Sequence, residues 1–134
     1  MADAVQFELV SPERLVLSAE VGMVVVPGAE GDFGVLPGHA PMISTVRPGV
    51  ISIYNDRAIE ARIFVAGGFA EVSDSRLTVL TVDAVALDEI DRAGADARLA
   101  EAREAVNDAG DDRAKAEAER QLAVAEALVV AVAQ

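Results

Sequence analysis

The chain changes character near residue 85, and that break restricts it to two parts built from different secondary structure. All ten glycines except Gly94 and Gly110, all five prolines, the four phenylalanines and the single tyrosine lie before Asp83, in short apolar runs separated by turns. Val5, Phe7 and Leu9 alternate with Gln6 and Glu8, the period of a strand with one buried face. Val21 to Val26 is a fuller apolar run and predicts a strand buried on both sides. Ile51 and Ile53 lead into Tyr54-Asn55-Asp56-Arg57, where Asn and Asp tolerate left-handed backbone, and Ile59 to Val65 can return as the partner strand of a hairpin. A second hairpin is predicted from Phe69 to Val72, the turn Ser73-Asp74-Ser75, and Leu77 to Val82. Gly67-Gly68 marks either a close approach by another backbone or a bulge. Short strands at this spacing favour a sandwich or barrel.

From Asp88 onward the chain is rich in Ala, Asp, Glu and Arg and holds no proline. Asp88 is the predicted N-cap, with Glu89 and Asp91 at the positive end of the helix dipole. Ile90, Ala93, Ala97, Ala100 and Val106 form one predicted apolar stripe. The run Asn107-Asp108-Ala109-Gly110-Asp111 stops one helix and caps the next, on which Ala114, Ala118, Leu122, Ala125, Val129 and Val132 form a second stripe. The expected fold is α+β: an antiparallel β-sandwich or barrel over 1–86, then an antiparallel two-helix hairpin over 87–134. A hairpin of small residues buries little by itself and needs a docking surface.

Composition excludes several functions. With 23 acids against 11 Lys and Arg the formal net charge is −12. Phosphate backbones repel such a chain, so nucleic acid is not an expected partner, whereas a basic protein surface is. Cysteine is absent, which removes thiolate chemistry and Cys-type zinc sites. Residues 1–7 carry an acid and no basic n-region, which predicts residence in the cytoplasm. The run Ala127 to Ala133 is far below the roughly 20 residues of a spanning helix, so membrane association is expected only through a partner.

No catalytic set emerges. The glycine-rich stretch from Pro27 to Pro41 has no lysine and no GK[ST] ending, and Gly28, Gly31 and Gly34 lack the spacing of a dinucleotide loop. His39 is the only histidine, and an enzyme would have to combine it with Glu30 or Asp32. The alternative is a structural hydrogen bond inside a rigid loop. No cofactor or metal site is expected.

The segment Gly31-Asp32-Phe33-Gly34-Val35-Leu36-Pro37-Gly38-His39-Ala40-Pro41 resembles the epsilon-subunit signature of F-type ATP synthases. Arg47-Pro48-Gly49, Phe64 to Val72 and Leu77 to Leu80 follow in that family's order and approximate spacing. The resemblance spans essentially the whole chain. It implies a non-catalytic central-stalk subunit whose sandwich binds the gamma subunit and the membrane c-ring. It further implies a place at the cytoplasmic face of the bacterial inner membrane. Glu30, Gly31, Asp32, Phe33 and His39 become the candidate c-ring and gamma interface. The hairpin becomes a candidate regulatory arm toward the alpha and beta subunits, carrying Arg92, Arg98, Arg103, Arg113, Lys115 and Arg120. So few basic residues on its second helix predict weak regulation of ATP hydrolysis. Some family members bind ATP through an I/L-D-x-x-R-A motif, which reads here Ile90-Asp91-Arg92-Ala93-Gly94-Ala95. Gly94 stands where the arginine is needed, so the phosphate partner is lost. Two other readings stay open: a free-standing binding module with a helical self-association tail, and an enzyme built on His39.

Overall fold

The computed structural model describes residues 4–134, so residues 1–3, the start of the predicted first domain, lie outside it. Among the described residues ten strands precede two helices. They are β1 Val5–Val10, β2 Leu15–Val21, β3 Met23–Gly28, β4 Gly31–Val35, β5 Met42–Val46, β6 Gly49–Asn55, β7 Ala58–Val65, β8 Gly68–Ser73, β9 Arg76–Leu80 and β10 Ala84–Ala86. After a 3-10 turn at Leu87–Glu89 come α1, Arg92–Asp108, and α2, Asp112–Val132.

The strands form one sheet in the order β10-β7-β6-β3-β5-β8-β9-β1-β2, with β4 added on β3. Pairing between β3 and β5 narrows to Gly28 opposite Val46. There the sheet folds over, and β1 meets β3 while β2 meets β6 across the interior. Val5, Phe7, Leu9, Val24, Val26, Val35, Ile51, Leu77 and Val79 fill that interior without solvent exposure. Each contributes roughly 1.5–3 kcal/mol by leaving water. The alternation expected for β1 is therefore its buried face. β1 runs parallel to β9, the exception to the antiparallel expectation. The long stretch of chain between them makes a parallel pairing feasible.

Both predicted hairpins form. Asp56 and Arg57 (φ 52° and 69°) turn β6 into β7, and Asp74 and Ser75 (φ 49° and 60°) turn β8 into β9. These left-handed pairs match the twist of the flanking strands. β9 ends at Leu80, short of the predicted Val82. Val21 to Val26 is not one strand buried on both faces. Gly22 divides it, its N–H held by the Asn55 side-chain oxygen at 2.8 Å. Burial then alternates along β3, with Val24 and Val26 inward and Met23 and Val25 partly exposed.

Gly67-Gly68 is a close approach. Gly68 adopts φ +147°, and a Cβ there would lie 1.8 Å from the Leu80 carbonyl oxygen on β9. Only glycine permits that spacing.

The helical start differs from expectation. Asp91, not Asp88, is the N-cap of α1, accepting from the Gly94 N–H at 2.7 Å. Ile90 stays extended (φ −113°, ψ 125°) and packs in an apolar cluster, which delays the helix past Asp88 and Glu89. Asp111 caps α2 through the Ala114 N–H at 2.7 Å. The predicted α1 stripe is rotated: Ala93, Ala97 and Ala100 are exposed, while Ala95 and Ala102 are buried and Leu99 and Val106 half-buried. Alanine covers nearly every face of this helix, so the larger Leu99 and Val106, seven residues apart, mark the true face. On α2 the stripe holds from Ala118 onward, but Ala114 is exposed.

The helix that docks is α2. Val124, Leu128 and Ala131 join Phe64, Leu87 and Ala95 in a second apolar cluster, with Val50, Ala66, Val85 and Ile90 around it. This cluster lies outside the sandwich interior, on the β10-β7-β6 side. The Arg98–Asp83 ion pair, 4.0 Å apart, spans the same junction.

Replacing Gly68 by alanine is expected to lower unfolding stability by at least ~2 kcal/mol, and wild-type-like thermal unfolding would refute the close approach. Leu128→Ala is expected to cost about 2–4 kcal/mol. Its loss of amide protection should fall on residues 92–132 and spare β1 and β9; equal loss in both parts would refute independent docking.

Candidate functional site

The β3–β4 turn carries four of the candidate interface residues. Ala29 and Glu30 form its tip, and Gly31 pairs back with Gly28. Phe33 leans across Gly28, where an added Cβ would meet its ring at 2.9 Å. Phe33 is therefore half-buried and packs against the core. Glu30 is exposed. Asp32 is exposed too, yet its carboxylate accepts from the Arg47 guanidinium at 2.6 Å.

His39 is elsewhere. β4 is five residues long, so the Gly31 end and the following loop stand about 15 Å apart along the strand. In that loop the His39 N–H donates to the Leu36 carbonyl at 3.1 Å, and its Nδ1 lies 2.6 Å from the Ala40 carbonyl oxygen. The Gly38 N–H donates to Ser75 Oγ at 3.0 Å, tying the loop to the β8–β9 turn. The candidate interface thus divides between opposite ends of the sandwich. His39 cannot share a proton with Glu30 or Asp32 across that distance, and the enzyme reading loses its geometry. Among the described residues no three His, Asp or Glu side chains gather into a metal-binding group.

The arm cations are spread over both helices. Arg92, Arg103, Arg113 and Lys115 are exposed. Arg98 faces Asp83 on the sandwich. Arg120 is bonded to Glu117 one turn earlier. That bond, with a second from Gln121, holds the Glu117 carboxyl below its ordinary range. At the degraded ATP motif Ile90 is half-buried and Ala95 buried, while Asp91 is committed to capping Gly94. No guanidinium stands at that helix start in the motif's register.

Sequence reasoning missed an apolar row on the outer face of the other half-sheet. Phe69 on β8 pairs with Leu80 on β9, Leu80 with Val10 on β1, and Val10 with Leu15 on β2. Phe69, Leu80 and Leu15 are each more than half exposed, and Val82 extends the patch. A signal did exist: Leu9-Val10 and Val79-Leu80 are adjacent apolar pairs, and one of each must face outward in a strand. Among the described residues no helix is long and apolar enough to cross a membrane.

The β-sandwich of residues 4–87 matches the family model described as the ATP synthase, Delta/Epsilon chain, beta-sandwich domain. The ATP synthase epsilon chain of Paramagnetospirillum magneticum is 56% identical over 133 residues, covering 99% of this chain and all of that one. The chain belongs to the ATP synthase epsilon chain family. The epsilon chain of Rhodospirillum rubrum is 53% identical over 131 residues, covering 98% of each. A chain in the cryo-EM structure of the Euglena gracilis mitochondrial ATP synthase, OSCP/F1/c-ring in rotational state 1, superposes with TM-score 0.81 at 26% identity. It covers 97% of this chain and 82% of its own. A chain of the Tetrahymena thermophila central stalk and c-ring superposes at 0.68 with 15% identity, which bears on the fold alone.

For this epsilon-family chain the altered motif predicts that titration calorimetry with ATP detects no submillimolar binding. A saturating isotherm in that range would refute it.

Proposed function

We propose that the chain is the non-catalytic central-stalk subunit of a bacterial F-type ATP synthase, carrying c-ring rotation to the F1 head. The observation behind this reading is the whole-length match to epsilon chains, sandwich and hairpin together. The complex is membrane-bound, and the chain sits at its cytoplasmic face, touching the bilayer only through its partners. It supplies no chemistry of its own.

The functional division follows the two parts. Residues 1–86 bind gamma and the c-ring, and 87–134 form the regulatory arm. The outer row of Leu15, Val10, Leu80 and Phe69 is the gamma surface, because a contiguous exposed apolar patch marks a protein interface. It faces away from the hairpin, so gamma binding leaves the arm free to stay docked. The Glu30 turn is the c-ring contact, an acidic tip suited to basic loops. Two of the arm's six cations, Arg98 and Arg120, already have acidic partners, and the second helix carries only Arg113 and Lys115 besides Arg120 toward alpha and beta, so the arm's effect on ATP hydrolysis is weak.

Purified chain should be retained stoichiometrically by recombinant gamma from the same source, and Phe69→Glu should weaken that binding by at least ~10-fold. Failure of the unaltered chain to bind would refute the central-stalk role. Full binding by Phe69→Glu would take gamma off this face.

A further inference from the structure

The β3–β4 turn is held from a third strand. Arg47 leaves the end of β5, and its backbone N–H donates to the Pro27 carbonyl at 2.8 Å. Its guanidinium reaches back along the turn: Nη1 donates to the Gly28 carbonyl at 2.5 Å and Nη2 to Asp32 Oδ1 at 2.6 Å. The Ala29 N–H donates to the carbonyl of Thr45, two residues before Arg47, at 2.9 Å. The turn is thus fixed on both its arms, at Gly28 and at Asp32, by one planar cation. Lysine could not span those two acceptors with fixed geometry.

Exposure decides what this pair can do. The Arg47 and Asp32 side chains are 44% and 60% exposed. Exposed ion pairs contribute little to stability, so the bonds matter for where the turn points more than for whether the sandwich folds. They also spend the Asp32 charge inside the chain. Glu30, at the tip, has no ion-pair partner among the described residues.

We propose that Arg47 is a positioning residue for the rotor contact. With Asp32 it forms an internal strut that aims the turn, and Glu30 alone presents charge to the basic partner. This rests on the reading of the turn as the c-ring contact. It differs from a direct role for Asp32 in one consequence: exchanging the two charges keeps the ion pair, though not the bond to the Gly28 carbonyl, but inverts whatever charge position 32 would offer a partner.

The test uses the reconstituted complex with Asp32→Arg, Arg47→Asp, the double variant and Glu30→Lys. ATP-driven ion pumping per ATP hydrolysed is measured alongside hydrogen exchange of the 29–32 amides, and gamma binding confirms that each variant is folded. Each single strut variant is expected to lower coupling and speed turn exchange several-fold, and the double variant, which restores the ion pair but not the Gly28 bond, to recover part of both; no recovery of either would overturn the ion pair as the strut. Glu30→Lys is expected to lower coupling with turn exchange unchanged. A double variant with normal turn exchange but coupling as poor as Asp32→Arg would overturn the strut and make Asp32 the contacting charge. Unchanged turn exchange in both single variants would overturn it as well. If Glu30→Lys and both single variants pump normally, the c-ring reading itself fails, and the proposal falls with it.

Discussion

Closure of a single sheet over an apolar interior is the constraint on which the rest of the molecule depends. Inward residues of β1, β3, β6 and β9 leave water only when the sheet folds over at the narrow β3–β5 junction. That fold puts β1 between β2 and β9 and makes its pairing with β9 parallel. The same geometry gathers the loops at two ends. The Glu30 turn and Arg47 fall at one end, and the His39 loop and the β8–β9 turn at the other.

The hairpin is subordinate to that closed body. Its own contact is made of small residues, Ala95, Ala102, Ala118 and Ala125, which allow close helices but bury little area. What holds it is the second apolar cluster, where α2 covers Phe64. Phe64 sits on β7 beside Val65, which faces the sandwich interior. Neighbouring residues on one strand thus serve separate cores. Local opening of the hairpin can therefore occur without exposing the sandwich interior, because the two clusters share few side chains.

Charge follows the same division of labour. The chain carries a large acidic excess, yet many of the acids whose partners are visible serve the fold itself. Asp91 and Asp111 cap helices, Asp32 holds Arg47, and Glu117 holds Arg120. An acid near a candidate interface is informative only after its internal partners are known. Asp32 and Glu30 are two residues apart and equally acidic in the sequence, but one is engaged and the other free.

The sequence by itself determined the two-part architecture, both hairpins, the capping of the second helix and the family, because these follow from period, turn chemistry and a long specific motif. Turn residues with left-handed backbone act within four positions, so Asp56-Arg57 and Asp74-Ser75 were legible. Tertiary structure alone decided the face of α1, the division at Gly22, the N-cap at Asp91, the separation of His39 from Glu30, and the bond from Arg47 to Asp32. Most of these depend on contacts between residues distant in the chain, and the separation of His39 from Glu30 on β4 running extended between them. Alanine fits any helix face, and an arginine before a proline reads as a turn until a strand fifteen residues earlier is brought beside it.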